Sequence, residues 1–441
     1  MKVFWLYRLI LYFIISTTIG PYYDGWSSTA KYLISEGVFS KLCQDGDEPP
    51  KLFYLKPLCD HQAYTVGRLL SFYRISEFLS SIFTGIFMDN LGPKFTVLFS
   101  IILRVVSWIL IPLCTNVHAV IILSCILCGI SSNGIAFPVF TIAQYSKKYF
   151  NACMVAISVS LSFGTFYTFI LNRIKYWLSD YKPINIIVFM LILTHLPIFI
   201  LSLFLFPNSL EKDVKLNITE EMHSKKQKSL SETREEALYI PNNKWEFKTF
   251  LSILGRIDIL VLSFASMVNV ISLTFAQESF PILYGDNKTA LTVNEILIPL
   301  SFVFSILSTF VLNKVGSVPI ILFLNVISAV MHMTMFFTNL PASVFTSILM
   351  SLNYSLFMTQ YYIYLDSQVP IQYQGSIKGF LVTLIGFVLF VNIGLNYLSK
   401  TYFYTREIHL AIMAIRFLVS LPLYFFLKRE LPSRSKSFDM A

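Results

Sequence analysis

The sequence predicts an all-α membrane protein of twelve transmembrane helices, built as two six-helix half-bundles joined by a polar linker. Three observations predict it. Apolar residues make up 55% of the 441-residue chain and charged residues only 13%, about half the charge content of a soluble domain. The charges gather in short breaks and leave long intervals that a water-exposed surface could not tolerate. Those intervals have the length that crosses a hydrocarbon core about 30 Å thick, roughly 20 helical residues.

Taken in order, the apolar stretches lie at about 3–20, 66–88, 95–113, 118–140, 152–172, 184–206, 256–275, 292–312, 318–337, 343–365, 379–399 and 407–427. Backbone facing lipid must satisfy its own hydrogen bonds, so each run is expected to be a helix. The first, headed by Lys2, shares the charge and apolar core of a secretory signal. Its length is that of a span, however, and Pro21-Tyr22-Tyr23-Asp24-Gly25-Trp26 lacks a small-residue cleavage pattern, so it is expected to be retained. Between the sixth and seventh stretches lies a polar segment with eight Lys or Arg and eight Asp or Glu. The expected organisation is therefore an N-terminal half (1–207), a cytoplasmic linker (208–250), a C-terminal half (251–430) and a cytoplasmic tail (431–441). The linker reads as a disordered tether or as a short surface helix around 231–240.

Basic residues in short loops orient such a protein. Lys94, Lys147-Lys148, Lys314, Lys378 and the tail residues Lys428, Arg429, Arg434 and Lys436 share one side if both termini are cytoplasmic. The bias is modest, since Arg173, Lys175, Lys182, Lys288, Lys400 and Arg406 fall opposite. A formal net charge of +9 distributed over loops is not the basic face of a nucleic-acid-binding domain, so lipid, not nucleic acid, is the expected partner. In this topology the segment from Pro21 to Tyr64 faces outward. Cys43 and Cys59 there could close a loop or stay free, while Cys114, Cys125, Cys128 and Cys153 read as packed apolar residues. Asn287-Lys288-Thr289 is an outward glycosylation pattern and the chain is expected to be a glycoprotein.

The most specific motif follows the second stretch, Gly85-Ile86-Phe87-Met88-Asp89-Asn90-Leu91-Gly92-Pro93-Lys94. Its glycines allow a tight reversal and close helix approach, and Asp89 is placed to accept hydrogen bonds at a neighbouring helix end. It resembles the cytoplasmic signature loop of the major facilitator superfamily, which implies a gating role for Gly85, Asp89, Gly92 and Lys94. Leu312-Asn313-Lys314-Val315-Gly316-Ser317 echoes it in the second half without the aspartate. No arginine stands on helix four, and Gly164 on helix five lacks the glycine-proline pattern of proton-coupled antiporters, which argues against drug/proton antiport. The run Gly25-Trp26-Ser27-Ser28 and then Glu36-Gly37-Val38-Phe39-Ser40-Lys41-Leu42-Cys43 resembles the sodium-independent large-neutral (system L) amino-acid transporters and their apicomplexan relatives. That resemblance implies neutral or cationic amino acids as substrates and a multi-pass protein of the plasma membrane.

Polar groups inside spans face a cavity or a partner. Counted from Asp89, Glu77 lies about 18 Å and Arg74 about 22 Å into helix two, and Arg104 lies about 15 Å in from Lys94. Two arginines with one glutamate leave a positive surplus that could receive a substrate carboxylate, or all three could lock helices two and three together. Arg104 and Arg416 read first as structural. The resemblance implies that helices one, four, seven and ten line the path. The substrate-binding set is accordingly Thr17, Arg74, Glu77, Asn133, Asn269, Asn353 and Gln360, with Asn392 on helix eleven. Tyr22, Tyr23, Phe137 and Tyr354 are candidate walls. For each amide or hydroxyl, ordinary helix–helix hydrogen bonding is the competing reading.

No cofactor, metal or covalent chemistry is expected. His118 and His409 lie near helix ends, and His195 and His332 stand without Cys or Asp partners in register. Alternating access of an amino acid between the halves is the expected function. A carrier of another small organic solute, or a receptor or scaffold that keeps the fold without transport, is the alternative.

Overall fold

The structure is a computed structural model that describes residues 2–20, 25–43, 60–145, 149–177, 183–209, 246–284, 287–402 and 404–438. Among these residues all regular structure is helical. The helices are α1 (Lys2–Ile19), α2 (Trp26–Ser35), α3 (Asp60–Leu79), α4 (Ser81–Leu91), α5 (Pro93–Leu113), α6 (His118–Phe140), α7 (Phe150–Gly164), α8 (Phe166–Trp177) and α9 (Pro183–Leu205). They continue with α10 (Phe247–Leu254), α11 (Ile257–Tyr284), α12 (Lys288–Leu297), α13 (Phe302–Val315), α14 (Ser317–Thr334), α15 (Leu340–Gln368), α16 (Gln374–Tyr402) and α17 (Thr405–Phe438).

Nine helical stretches among the described residues are long and apolar enough to cross a bilayer. A tenth is added if the two pieces on either side of Ile298, bent by 42°, form one span. Twelve were expected, and length with composition supports nine or ten. The shortfall has a local cause. The apolar part of α1, Leu6–Ile19, is short, and the α3–α4 pair carries Arg68, Arg74 and Glu77 and breaks at Ser80.

That break is made by another helix. In a continuous helix the Ile82 N–H would donate to the Phe78 carbonyl. Here it donates to the Thr383 hydroxyl at 3.0 Å, and that hydroxyl donates to the Phe78 oxygen at 3.2 Å. A side chain from α16 thus occupies the gap in the ladder, which is a recognised cause of kinking.

The distribution of side chains is inverted relative to a soluble protein. Phe189, Leu193 and Phe204 on α9, Phe387 on α16 and Leu418 and Phe425 on α17 are exposed, while Arg104, Arg416, His332, His409, Asn325 and Gln360 are buried. Lipid is as apolar as leucine, so burying apolar area between helices gains little, and small residues with hydrogen bonds hold the bundle instead.

Within one set of helices α5 packs on α6 and α9, α3 on α6, and α1 on α7 and α9; within the other α14 packs on α15 and α17, and α11 on α15, α16 and α17. The sets meet where α3 and α4 lie along α16 and where α7 meets α13 and α15. Gly92 (φ 90°, ψ 161°) and Gly316 (φ 86°, ψ 176°) enter α5 and α14 through nearly the same backbone geometry. The faint sequence echo between the two loops is therefore a close conformational repeat. A side chain at Gly92 would need a disfavoured positive φ and would also run into the Asn208 carbonyl.

One reading changes. Lys378, taken above for a loop cation, is buried within the first turns of α16 and pairs with Asp366 at 2.5 Å. His332, read above as without Cys or Asp partners, meets His409 Nδ1 to Nδ1 at 2.6 Å. Cys43 is disulfide-bonded, whereas Cys114, Cys125, Cys128 and Cys153 are free. Tyr22, Tyr23, Lys147, Lys148, Cys59 and residues 210–245 of the linker lie outside the described residues.

Candidate functional site: a cavity between two sets of helices

A cavity of about 150 Å³ lies where α3, α6 and α7 face α11 and α15. Its polar lining includes Arg74 and Glu77 on α3, Ser132 and Asn133 on α6, Asn269 and Thr274 on α11, and Asn353 and Thr359 on α15. Phe78, Phe140, Tyr354, Phe357 and Tyr362 supply aromatic wall. A smaller recess beside it is lined by Arg74, Thr274, Glu278 and Asn392.

Arg74, Glu77, Ser132, Asn133, Asn269 and Thr359 are each held by a neighbour. Arg74 and Glu77 form an ion pair at 3.3 Å, one turn apart on α3. Asn133 donates its two amide hydrogens to the Glu77 carbonyl (3.0 Å) and the Ser81 hydroxyl (2.7 Å). Asn353 is fully buried, and among the described residues neither of its amide atoms has a hydrogen-bond partner. Arg104, also fully buried, donates to Ser131 (2.7 Å), Ser132 (2.8 Å) and the Gly20 carbonyl (3.3 Å), tying α5 to α6 and to the end of α1. This is the structural role preferred from sequence.

Behind Asn269 stands a network with no obvious sequence signature. Arg416 on α17, fully buried, donates to Asn269 Oδ1, to Ser328 Oγ (2.8 Å) and to Asn325 Oδ1 (2.6 Å). A guanidinium can only donate, so Asn269, Ser328 and Asn325 all accept from Arg416. Ser328 meets Ser272 (3.0 Å), and Ser272 meets His332 Nε2 (2.6 Å). His332 in turn faces His409 Nδ1 to Nδ1, one nitrogen donating and the other accepting, and His409 Nε2 meets the Ser279 hydroxyl at 3.0 Å. The line joins α11, α14 and α17.

The two sets also meet through side-chain contacts at either end of the bundle. At one end Asp89, past the apolar part of α4, accepts from the Gly375 N–H (3.1 Å), the Ser376 N–H (2.7 Å) and the Ser376 hydroxyl (2.6 Å). These are the unsatisfied amides of a helix N-terminus, which attract an anion through their orientation and the helix dipole. The approach is possible because Gly85 lies directly against the Gly375 carbonyl and Gly379 against the Ser81 carbonyl, leaving no room for a Cβ. At the opposite end Lys31, on α2, pairs with Glu295, on α12, at 2.5 Å.

Of the predicted substrate-binding set, Arg74, Glu77, Asn133, Asn269 and Asn353 converge on the main cavity, and Asn392 joins Arg74 in the recess. Thr17 bonds to the Phe13 carbonyl of its own helix. Gln360 is fully buried and outside the lining. Phe137 stands behind the wall against Tyr362. Lys94 contributes its backbone N–H, bonded to the Pro207 carbonyl at 3.3 Å. Ser132, Phe78, Phe140 and Thr359 were not singled out from sequence; helical spacing from Asn133, Glu77 and Asn353 is the signal that could have found them.

Comparison with known proteins agrees with this architecture. The Major Facilitator Superfamily model matches residues 60–392. The chain is 22% identical over 408 residues to a protein named cationic amino acid transporter 8 of Plasmodium berghei, covering 85% of this chain and 78% of that one. It is also 22% identical over 433 residues to aromatic and large neutral amino acid transporter 5-3 of Toxoplasma gondii, covering 92% and 81%. Among solved structures, the proton:xylose symporter XylE superposes with a TM-score of 0.65 at 13% identity over 97% of this chain and 96% of that one, a likeness of fold. The chain belongs to the major facilitator superfamily, as a multi-pass membrane transporter and not an enzyme.

Proposed function

We propose that this transporter carries amino acids by alternating access, with twelve spans grouped six and six, both termini on the cytoplasmic side with Asp89, and residence in the plasma membrane. The observation that carries the reading is the cavity itself. It combines an ion pair, amides from both sets of helices and an aromatic wall, the groups needed to hold a carboxylate, an ammonium and an apolar side chain. Its size, about 150 Å³, is that of an engineered cavity that admits benzene. Substrate binds between the halves, which rock about it while the Asp89 and Lys31 contacts form and break in turn. The names of the two relatives support amino acids as the class.

The test is uptake of single labelled amino acids by proteoliposomes containing the purified chain. Saturable uptake that is competed by other amino acids and not by a hexose is expected. Uptake of a sugar or an organic anion with indifference to every amino acid would overturn the reading, and specific binding without flux would favour a receptor.

A further inference from the structure

We infer that the cavity takes a zwitterionic amino acid with an uncharged side chain, held in one sense, its carboxylate on Asn269 and its ammonium on Asn133. This rests on the reading above and goes further, because the two amides present opposite polarity to the cavity.

The orientation of each amide is fixed by what lies behind it. Arg416 has only N–H groups to offer, so the oxygen of Asn269 must face it. The Asn269 NH₂ is left for the cavity that the residue lines. The buried Arg416 charge one residue behind adds a positive potential on the same side, where it donates to the neutral oxygens of Asn269, Asn325 and Ser328. On α6 the case is reversed. Ser81 Oγ donates to the Glu77 carbonyl at 2.8 Å and so accepts from Asn133, whose other hydrogen goes to the same carbonyl. Both Asn133 hydrogens are used, and its oxygen is left for the cavity, beside the acidic Glu77. Asn269 therefore donates to the cavity and Asn133 accepts.

Asn353, on α15, points independently to a ligand. It lines the same cavity, is fully buried and among the described residues has neither amide atom bonded, and a buried amide with no partner is costly unless a bound molecule supplies one. The charged groups in the lining are Arg74 and Glu77, already paired to each other. The rest of the lining carries no charge, being hydroxyls, amides, aliphatic and aromatic side chains, which leaves a substrate's side-chain charge without a free counter-ion in this cavity.

The test compares competition for uptake by leucine, leucine amide, N-acetyl-leucine and lysine in proteoliposomes. For the wild type, leucine should outcompete both blocked forms and lysine by at least about tenfold, the value of one charge-assisted hydrogen bond. In Asn269→Asp the new carboxylate takes the Arg416 donor and offers the cavity no N–H, so the leucine-to-amide ratio should fall to within about threefold while discrimination against the N-acetyl form persists. Equal competition by leucine and its amide in the wild type overturns the inference, needs no variant to fold, and leaves amino-acid transport standing. Competition by lysine equal to leucine overturns the uncharged side chain. Failure of every amino acid to compete would instead remove the underlying reading.

Discussion

Gly85→Ala places a methyl group where the Gly375 carbonyl now lies, with the Gly375 carbonyl carbon 2.6 Å and Ser376 Cα 3.2 Å away. All three are backbone atoms, so no side chain can rotate aside and α4 must move off α16 by an ångström or more. Overpacking of this kind costs about 1–3 kcal/mol. Only the conformation with the Asp89 end closed bears that cost, so the ratio of closed to open should fall on the order of 5–150-fold. A cysteine in place of Ala136, which lines the cavity, reports the change. In a background without other reactive thiols, an impermeant reagent applied from the Asp89 side should label it correspondingly faster. Gly67→Ala is the matched control on the same span, because nothing lies within 4 Å of a Cβ there. Equal labelling of the two variants, both folded, would refute the claim that α4 and α16 separate during transport.

The remaining predictions concern the same contacts and the buried network. Thr383→Val removes the hydroxyl that bridges Ile82 and Phe78 and should lower stability by about 1–3 kcal/mol, seen as a lower unfolding midpoint in detergent that Thr383→Ser restores. His332→Ala leaves Ser272 and His409 facing a void and should cost about 2–4 kcal/mol through lost packing and unpaired polar atoms, on the same assay. Removal from water against α16 pushes the Asp89 carboxyl up to about 7, although three donors meet it. When the contact opens, the carboxyl returns toward its ordinary value of 3.8. Protonation therefore favours closure, which is strongest in acid and weakens as pH rises through about 7. Lowering pH on that side from about 8 to about 6 should slow labelling at Ala136→Cys by at most about tenfold, since Asp89 keeps part of its surface in water, and Asp89→Asn should abolish the dependence.

Hydropathy carried much of the fold because lipid judges each segment separately: a run of apolar residues is a helix whatever it packs against. The signature from Gly85 to Lys94 likewise could be read locally, as could the glycine of its echo at Gly316. Partnership was harder to read. That Asp89 meets the first turn of α16, or that Thr383 opens the α3–α4 ladder, depends on residues almost 300 positions apart that no local pattern links. The spans that escape a hydropathy count do so for local reasons, since Arg68, Arg74 and Glu77 make α3 polar and the apolar part of α1 is short. Asn269 and Asn133 stood out as amides within spans, yet their polarity toward the cavity could not be read. It is set by Arg416 and Ser81, which lie on other helices.

The account stands most directly on paired spin-label distances across the two ends of the bundle. One pair joins Asn90 to Lys248 at the Asp89 end and the other joins Lys41 to Thr292 at the Lys31 end, all four residues being exposed. Alternating access predicts two populations for each pair, with the first distance long when the second is short, and a transported amino acid shifting the balance. Two fixed distances, or two that lengthen together, would contradict it.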